Sequence, residues 1–238
     1  MKVKIIKISN KCNNNCTNCI NDGNDFLPNF SKVKKEILSG AQIGCEQIIF
    51  CGREPSLCKD LFSYIAEARK SGYKSIQMKT NARMFAYEKY CEEILKAGLT
   101  EVSVHFYSGE ARIHDSFTKV RGSYQQAMAG VKNILNFSEK FFPYNSCSVN
   151  LALVVCRENI RTLQKIIFPM LELGINQLFF VANPTLLGDD TEILSGLEGL
   201  KMTLGKNNIS YYTIGIKENS YFYKPYLTEE DRSFYKLF

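Results

Sequence analysis

The sequence predicts an α/β protein, a partial (β/α)6 TIM-like barrel whose parallel sheet is covered by outer helices. Two observations predict it. Six short apolar runs, each bounded by turn residues, alternate with longer amphipathic segments. A helix, a glycine, an apolar residue and a strand recur in that order at Gly72, Gly98 and Gly174, with about 26–28 residues between the middle strands, the length of one βα unit. Six units are too few for a closed eight-unit barrel and enough for an open one.

The strand candidates share β-rich, nearly two-sided hydrophobicity, as in a sheet buried on both faces. They are residues 3–8, 46–50, 74–78, 101–106, 148–155 and 176–182, with 209–216 as a candidate edge strand. No linker rich in Gly, Ser or Pro interrupts them. We therefore expect one core, at residues 1–185, and a C-terminal extension at 186–238 packed on it.

Three helices are expected between the strands. Residues 61–71 form an amphipathic segment that Asp60 can cap, with Gly72 past its end. Residues 85–97 form a second, which ends before Gly98. Residues 160–173 form a third and contain Pro169, where we expect a kink or a restart because proline lacks the amide donor of a helix interior.

Composition narrows the class of protein. The 238 residues are 45% hydrophobic and 23% charged, as in a globular protein. No apolar run reaches about 18 residues, and the N-terminus lacks the features of a signal peptide. We expect a cytoplasmic protein without a membrane partner. The net charge of +6 indicates a solvated lysine surface or, as the minority interpretation, a basic mouth for an acidic or phosphorylated substrate. No basic block indicates nucleic-acid binding.

Three of the nine cysteines, Cys12, Cys16 and Cys19, lie in the stretch CNNNCTNC directly after the first strand. Loops at the carboxyl ends of parallel strands carry the chemistry of α/β folds. Three thiolates are one short of a closed zinc site, and suit a [4Fe–4S] cluster with one iron left for a ligand. A zinc-binding module that borrows a distant fourth thiolate, without catalysis, and an electron-transfer protein remain alternatives. The six other cysteines are expected to be small buried hydrophobic residues.

The cysteine stretch resembles the signature of the radical S-adenosylmethionine (radical SAM) superfamily, although Asn18 stands where that family usually has an aromatic residue. FCGREP at 50–55 resembles the family's GGEP turn, with Arg53 in place of a glycine. KTNARMF at 79–85 resembles the TNGRMF stretch of a branch that contains peptide maturases, and SVHFYSGEARIHDSFTKVRGSY at 103–124 resembles that branch's fourth unit.

The resemblance implies two cofactors, a [4Fe–4S] cluster held by the three cysteines and S-adenosylmethionine (SAM). It implies reductive cleavage of SAM to a 5′-deoxyadenosyl radical, which takes a hydrogen atom from the substrate. The implied cofactor-binding residues lie at or near the ends of the strands; they are Gly52, Arg53, Glu54, Asn81, Ser103, His105 and Asn150. In the family, the turn that corresponds to Gly52, Arg53 and Glu54 holds the methionine amino group of SAM. Arg83 or Arg121 could pair with the SAM carboxylate. No catalytic side chain is identified.

The open barrel and the TNARMF branch favour a peptide substrate, because a lateral gap admits a large molecule. A small metabolite or nucleotide is the alternative. No cysteine follows Cys156, which argues against the C-terminal auxiliary-cluster domain of many peptide-modifying relatives. The implied chemistry also needs a one-electron donor, such as a flavodoxin or a ferredoxin.

Overall fold

The computed structural model describes residues 2–17, 19, 29–141, 147–175, 177–182, 191–206 and 211–214. These form two compact units. The first comprises residues 1–104 and 118–149, and the second comprises residues 105–117 and 150–238. The predicted boundary between residues 185 and 186 and the aromatic C-terminal tail lie outside the described residues.

The first unit is built on parallel strands that follow one another in chain order: β1 (Val3–Ser9), β2 (Gln47–Gly52), β3 (Ser75–Thr80) and most of β4 (Glu101–Phe106). In register, Ile6 pairs with Phe50 and Phe50 with Met78. Each strand is therefore found within about two residues of its predicted position.

The second unit holds most of β5 (Ser148–Val155), together with β6 (Gln177–Ala182) and β7 (Tyr211–Ile214). β5 pairs in parallel with β6, and β6 with β7. The predicted edge strand at 209–216 is thus confirmed over Tyr211–Ile214, and its remaining residues lie outside the described ranges.

Helices follow the strands in the alternation that the sequence predicts. They are α1 (Phe30–Gln42), α2 (Leu61–Lys70), α3 (Glu88–Ala97), α4 (Ala111–Thr118), α5 (Ser123–Phe141), α6 (Gln164–Glu172) and α7 (Thr191–Lys206). Short 3-10 helices lie at Pro55–Leu57 and Arg83–Ala86. No helix in the described ranges has the length and hydrophobicity to cross a bilayer.

Two of the helix predictions need correction in detail. The segment predicted at 85–97 opens as a 3-10 turn, and α3 begins only at Glu88. The segment predicted at 160–173 begins as turns, and α6 then runs through Pro169 without a restart. Asp60 occupies the cap position of α2, as predicted, but its side chain makes no capping hydrogen bond.

One face of the first unit's sheet is apolar and packs against helices. Ile8, Ile48, Phe50, Ile76, Met78 and Val104 on this face are fully buried. The ring of Phe50 stacks on Tyr64 of α2 with 6.4 Å between centroids. Alternation along the strands places Lys7, Cys51, Lys79 and Ser103 on the opposite face, so the two faces of one sheet differ sharply in polarity.

Candidate functional site

The three candidate cluster ligands lie on the loop that follows β1. Cys12, Cys16 and Cys19 are half-buried and not in disulfides. Burial raises the pKa of the Cys12 thiol to about 11, and the charges of Glu54 and of the two other cysteines act in the same direction. Cys16 and Cys19 therefore lie near enough to Cys12 for their charges to act on its thiol.

Two hydrogen-bond donors contact the sulfur of Cys12. Its Sγ accepts a hydrogen bond from the backbone N–H of Asn14 at 3.3 Å and from Asn81 Nδ2 at 3.9 Å. Donors of this kind stabilise a thiolate, the form of cysteine that binds iron. Among the residues that the structure describes, no three His, Cys, Asp or Glu side chains gather closely enough to hold a single metal ion. A [4Fe–4S] cluster needs a wider arrangement, because each thiolate binds a different iron. The three thiols of one loop suit that arrangement.

The turn after β2 is fixed against the first loop by its backbone. Gly52 has a φ of +126°, and a Cβ there would lie 2.4 Å from the carbonyl oxygen of Ser9. Only glycine allows this approach. The N–H of Arg53 donates to Ser9 O and the N–H of Glu54 to Lys11 O, each at 2.9 Å. The turn after β2 is therefore held against the residues that lead into the cysteine stretch.

The carboxylate of Glu54 is buried, with 1% of its surface exposed, and joins two loops. Oε1 accepts from the N–H of Ser56 at 3.0 Å, the hydroxyl of Ser56 at 2.6 Å and the hydroxyl of Thr80 at 2.6 Å. Oε2 accepts from the N–H of Asn81 at 2.8 Å. Burial raises the pKa of Glu54, while these hydrogen bonds, from Asn81 first, lower it. The carboxylate thus holds the turn after β2 to the end of β3.

The loop after β3 reaches back to the cysteines. Asn81 Nδ2 donates to Asn13 Oδ1 at 2.7 Å, in addition to its contact with Cys12. Asn81 Oδ1 accepts from the N–H of Arg83 at 3.0 Å. The backbone N–H of Arg83 therefore holds the side-chain oxygen of Asn81, while the side-chain nitrogen of Asn81 orders the cysteine loop.

Arg83 makes hydrogen bonds to the cysteine loop that the sequence did not predict. Its guanidinium donates to the carbonyl oxygen of Asn13, to Asn14 Oδ1 at 2.7 Å and to Gln126 Oε1 on α5 at 2.7 Å. The resemblance implies that Arg83 or Arg121 could pair with the SAM carboxylate, and that pairing stays a prediction. In the structure, the guanidinium of Arg83 ties the cysteine loop to α5. Asn13 and Asn14 were the sequence signal that could have predicted these contacts, since the side-chain oxygen of asparagine accepts hydrogen bonds from arginine.

The backbone of the loop after β3 is strained and closely packed. Ala82 is fully buried with a φ of 58°, in the left-handed region that disfavours any residue with a Cβ. Gly130 of α5 faces it, and a Cβ at Gly130 would lie 2.1 Å from the carbonyl oxygen of Ala82. The loop and the helix therefore meet backbone to backbone.

A third support comes from the end of α4. The N–H of Asn15 donates to the carbonyl oxygen of Thr118 at 2.9 Å. The hydroxyls of Thr118 and Ser123 are 2.6 Å apart, which links the end of α4 to the first residue of α5. Three separate segments thus hold the cysteine loop.

The remaining candidates divide between the two units. Ser103, 7% exposed, lies on β4 in register with Lys79 in the first unit. His105 and the buried Asn150 belong to the second unit. The structure therefore brings together the cysteines, the 52–54 turn and Asn81 within one unit. The metal-binding and cofactor-binding roles of all these residues, and of Ser103, His105 and Asn150, stay predictions.

Comparison with known proteins identifies the family. The sequence profile of the Radical SAM superfamily matches residues 6–170. The GTP 3′,8-cyclase of Vibrio vulnificus (strain YJ016) is 28% identical over 134 residues, which are 53% of this chain and 39% of that protein.

Solved structures share the fold. SuiB of Streptococcus suis bound to precursor peptide SuiA gives a TM-score of 0.68 at 16% identity, over 90% of this chain and 48% of SuiB. The protein anSMEcpe with bound AdoMet and Kp18Cys peptide gives 0.67 at 16% identity, over 88% of this chain and 63% of anSMEcpe. The chain thus spans less than two thirds of each of these relatives. These likenesses confirm the predicted fold, an α/β partial TIM-like barrel.

The profile match covers most of the chain and includes the cysteine stretch, the 52–54 turn and the loop after β3. The cofactors of this family are a [4Fe–4S] cluster and SAM, and the three thiols of one loop suit the first of them. The chain belongs to the Radical SAM superfamily.

Proposed function

We propose that the chain is a radical SAM enzyme that modifies a peptide. When bound, the cluster and SAM supply one-electron cleavage of SAM and removal of a hydrogen atom from an unactivated carbon of the substrate. A flavodoxin or a ferredoxin is the proposed electron donor. The nine cysteines form no disulfide, which supports a reducing, cytoplasmic setting.

The chain's own residues have positioning and binding roles in this proposal. Cys12, Cys16 and Cys19 hold the cluster. Gly52, Arg53 and Asn81 offer backbone and amide groups to SAM at the ends of β2 and β3, and Ser103 lies on β4 of the same unit. For His105 and Asn150, a contact with SAM is implied by the resemblance alone. Glu54 holds the loops together, since its carboxylate already accepts four hydrogen bonds from the protein.

One observation carries the proposal. Asn81 donates to Cys12 Sγ, while its own backbone N–H donates to Glu54. The three stretches that resemble the family's motifs are therefore linked by hydrogen bonds around a single thiol. A non-catalytic zinc module would have no need of the GREP turn and the TNAR loop at its thiols.

The first test is anaerobic reconstitution of cysteine variants. We expect the protein to hold about four irons per chain and to form 5′-deoxyadenosine from SAM with dithionite. Cys16→Ala should lose the iron and the product together. Cys58→Ala is the matched control, because Cys58 is also half-buried but lies outside the loop. Equal loss in the two variants, or one bound zinc per chain in place of iron, contradicts the proposal.

The peptide substrate is supported by two fold neighbours whose structures contain peptides, SuiB and anSMEcpe. The alternative, a nucleotide, is supported by the similarity to GTP 3′,8-cyclases. The two are separated by 5′-deoxyadenosine formation in the presence of GTP or of peptides encoded beside the gene. Consumption of GTP with formation of a new nucleotide contradicts the peptide proposal and supports the alternative.

A further inference from the structure

The sulfur of Cys12 accepts hydrogen bonds from two different parts of the chain. The backbone N–H of Asn14 donates to it at 3.3 Å from within the cysteine loop, and Asn81 Nδ2 donates to it at 3.9 Å from the loop after β3. The first donor belongs to the backbone and is present whatever the side chain at position 14. The second belongs to one side chain, so a substitution of Asn81 removes it and leaves the first in place.

Further hydrogen bonds fix the direction of the Asn81 amide. Its Oδ1 accepts from the N–H of Arg83 at 3.0 Å, and its backbone N–H donates to Glu54 Oε2 at 2.8 Å. Because the side-chain oxygen is held by a backbone donor, the side-chain nitrogen faces the cysteine loop. One hydrogen of Nδ2 is directed at Asn13 Oδ1, 2.7 Å away, and the other is left for the sulfur of Cys12.

A buried acid lies on the other side of Asn81. The carboxylate of Glu54 is 1% exposed and accepts from the backbone N–H of Asn81. A negative charge that is removed from water acts more strongly on its surroundings than one at the surface, and so opposes further negative charge nearby. The side-chain amide of Asn81 presents the positive end of an N–H bond to the sulfur of Cys12 and therefore acts against this repulsion.

A donor to a ligand sulfur affects the two oxidation states of an iron–sulfur cluster differently. The reduced state carries one more negative charge, and part of that charge lies on the cysteine sulfurs. An N–H group directed at such a sulfur therefore stabilises the reduced state more than the oxidised state, and the reduction potential rises. Among the cluster ligands proposed here, Cys12 receives such a donor from outside its own loop.

We propose that Asn81 is a positioning residue that acts through Cys12, and that its side-chain amide raises the reduction potential of the cluster. The inference rests on the proposed function and concerns how readily the electron donor reduces the enzyme. A donor of given potential would reduce a larger share of the protein with Asn81 in place than without it.

The test is a redox titration of the anaerobically reconstituted protein before SAM is added, followed by the electron paramagnetic resonance signal of the reduced cluster. Asn81→Ala should lower the ratio of reduced to oxidised cluster at a fixed potential about tenfold, which is about 59 mV for a one-electron couple. Asn81→Asp retains an oxygen that can accept from the N–H of Arg83 but has no N–H donor for the sulfur. We expect it to lower the ratio at least as far.

Asn14→Ala is the matched control. It removes the side-chain oxygen that accepts from Arg83 at 2.7 Å, but it keeps the backbone N–H that donates to Cys12. The cysteine loop thus loses a tie of similar kind while both donors to the sulfur remain. We expect the ratio of reduced to oxidised cluster to change by less than about twofold, since hydrogen bonds to the sulfurs set the potential.

The outcomes separate a redox role from a structural one. An unchanged ratio in Asn81→Ala, or an equal change in Asn14→Ala, overturns the inference. Loss of iron from both Asn81 variants while Asn14→Ala keeps its iron also overturns it, because Asn81 would then serve to assemble the site. Formation of 5′-deoxyadenosine by the wild-type protein is measured separately, so the proposed function can stand when the redox role of Asn81 does not.

Discussion

The apolar face of the β1–β4 sheet and the loops at the carboxyl ends of the same strands are stabilised by different forces. The face depends on hydrophobic burial, with Phe50 stacked on Tyr64 and the neighbouring Ile48 and Met78 fully buried. The loops depend on a few polar side chains, chiefly Glu54 and Arg83, each of which joins several segments. Stability is therefore distributed over many side chains on the face and concentrated in a few at the candidate site.

The largest effect is expected on the apolar face. Phe50→Ala should lower the free energy of unfolding by about 3–5 kcal/mol, the usual cost of deleting a fully buried phenylalanine side chain. Urea denaturation measures it. Phe168→Ala is the matched control, because Phe168 is 41% exposed. Equal destabilisation by Phe50→Ala and Phe168→Ala would show that burial on this face of the sheet does not contribute more to stability than packing at the surface.

At the loops, Glu54→Gln is expected to cost about 1–3 kcal/mol, because the new amide hydrogens would face donors in place of an acceptor. The same urea titration measures it. Glu93→Gln, at an exposed residue of α3, should change stability by less than about 0.5 kcal/mol. A neutral result for Glu54→Gln would mean that the carboxyl is protonated in the folded protein and that its proton serves as a donor.

Arg83→Met should loosen the cysteine loop more than the fold. We expect amide exchange at Asn14 and Asn15 to speed up about tenfold to a hundredfold, as follows from losing about 1.5–3 kcal/mol of hydrogen bonding from a charged group. Hydrogen exchange of the apoprotein measures this, and iron content after reconstitution should fall with it. Arg112→Met, at an exposed residue of α4, is the control. If amide exchange at Asn14 and Asn15 is unchanged in Arg83→Met, Arg83 does not hold the cysteine loop in place.

The smallest effect is a gain. Ala82→Gly should stabilise the protein by about 0.5–1 kcal/mol, since relief of the left-handed backbone outweighs the added flexibility of the unfolded chain. Ala127→Gly on α5 should do the opposite, because a helical alanine has no such strain to relieve. Thermal unfolding of both variants tests the difference in sign. Destabilisation by both would show that the Ala82 methyl contributes more by packing than its backbone loses.

The same contrast explains what could be predicted from the sequence. The strands and most helices follow from hydrophobic periodicity, a local pattern, and β2, β3 and β7 lie inside or next to the predicted runs. The cysteine loop and the GREP turn were found because their residues are adjacent in sequence. The start of α6 was missed, since periodicity alone does not mark where turns become helix.

The hydrogen bonds of the candidate site could not be predicted from such local patterns. Arg83 and Asn14 are 69 residues apart, and Glu54 and Thr80 are 26 apart. Their contacts depend on the parallel register of the strands, which brings distant loops together.

The close approach of Gly130 to the carbonyl oxygen of Ala82 has a consequence for how the chain can vary. One methyl group on that helix would displace the peptide that joins Asn81 to Arg83, and through their hydrogen bonds the cysteine loop. We therefore expect position 130 to affect cluster binding from a distance, which a search confined to residues near the thiols would overlook.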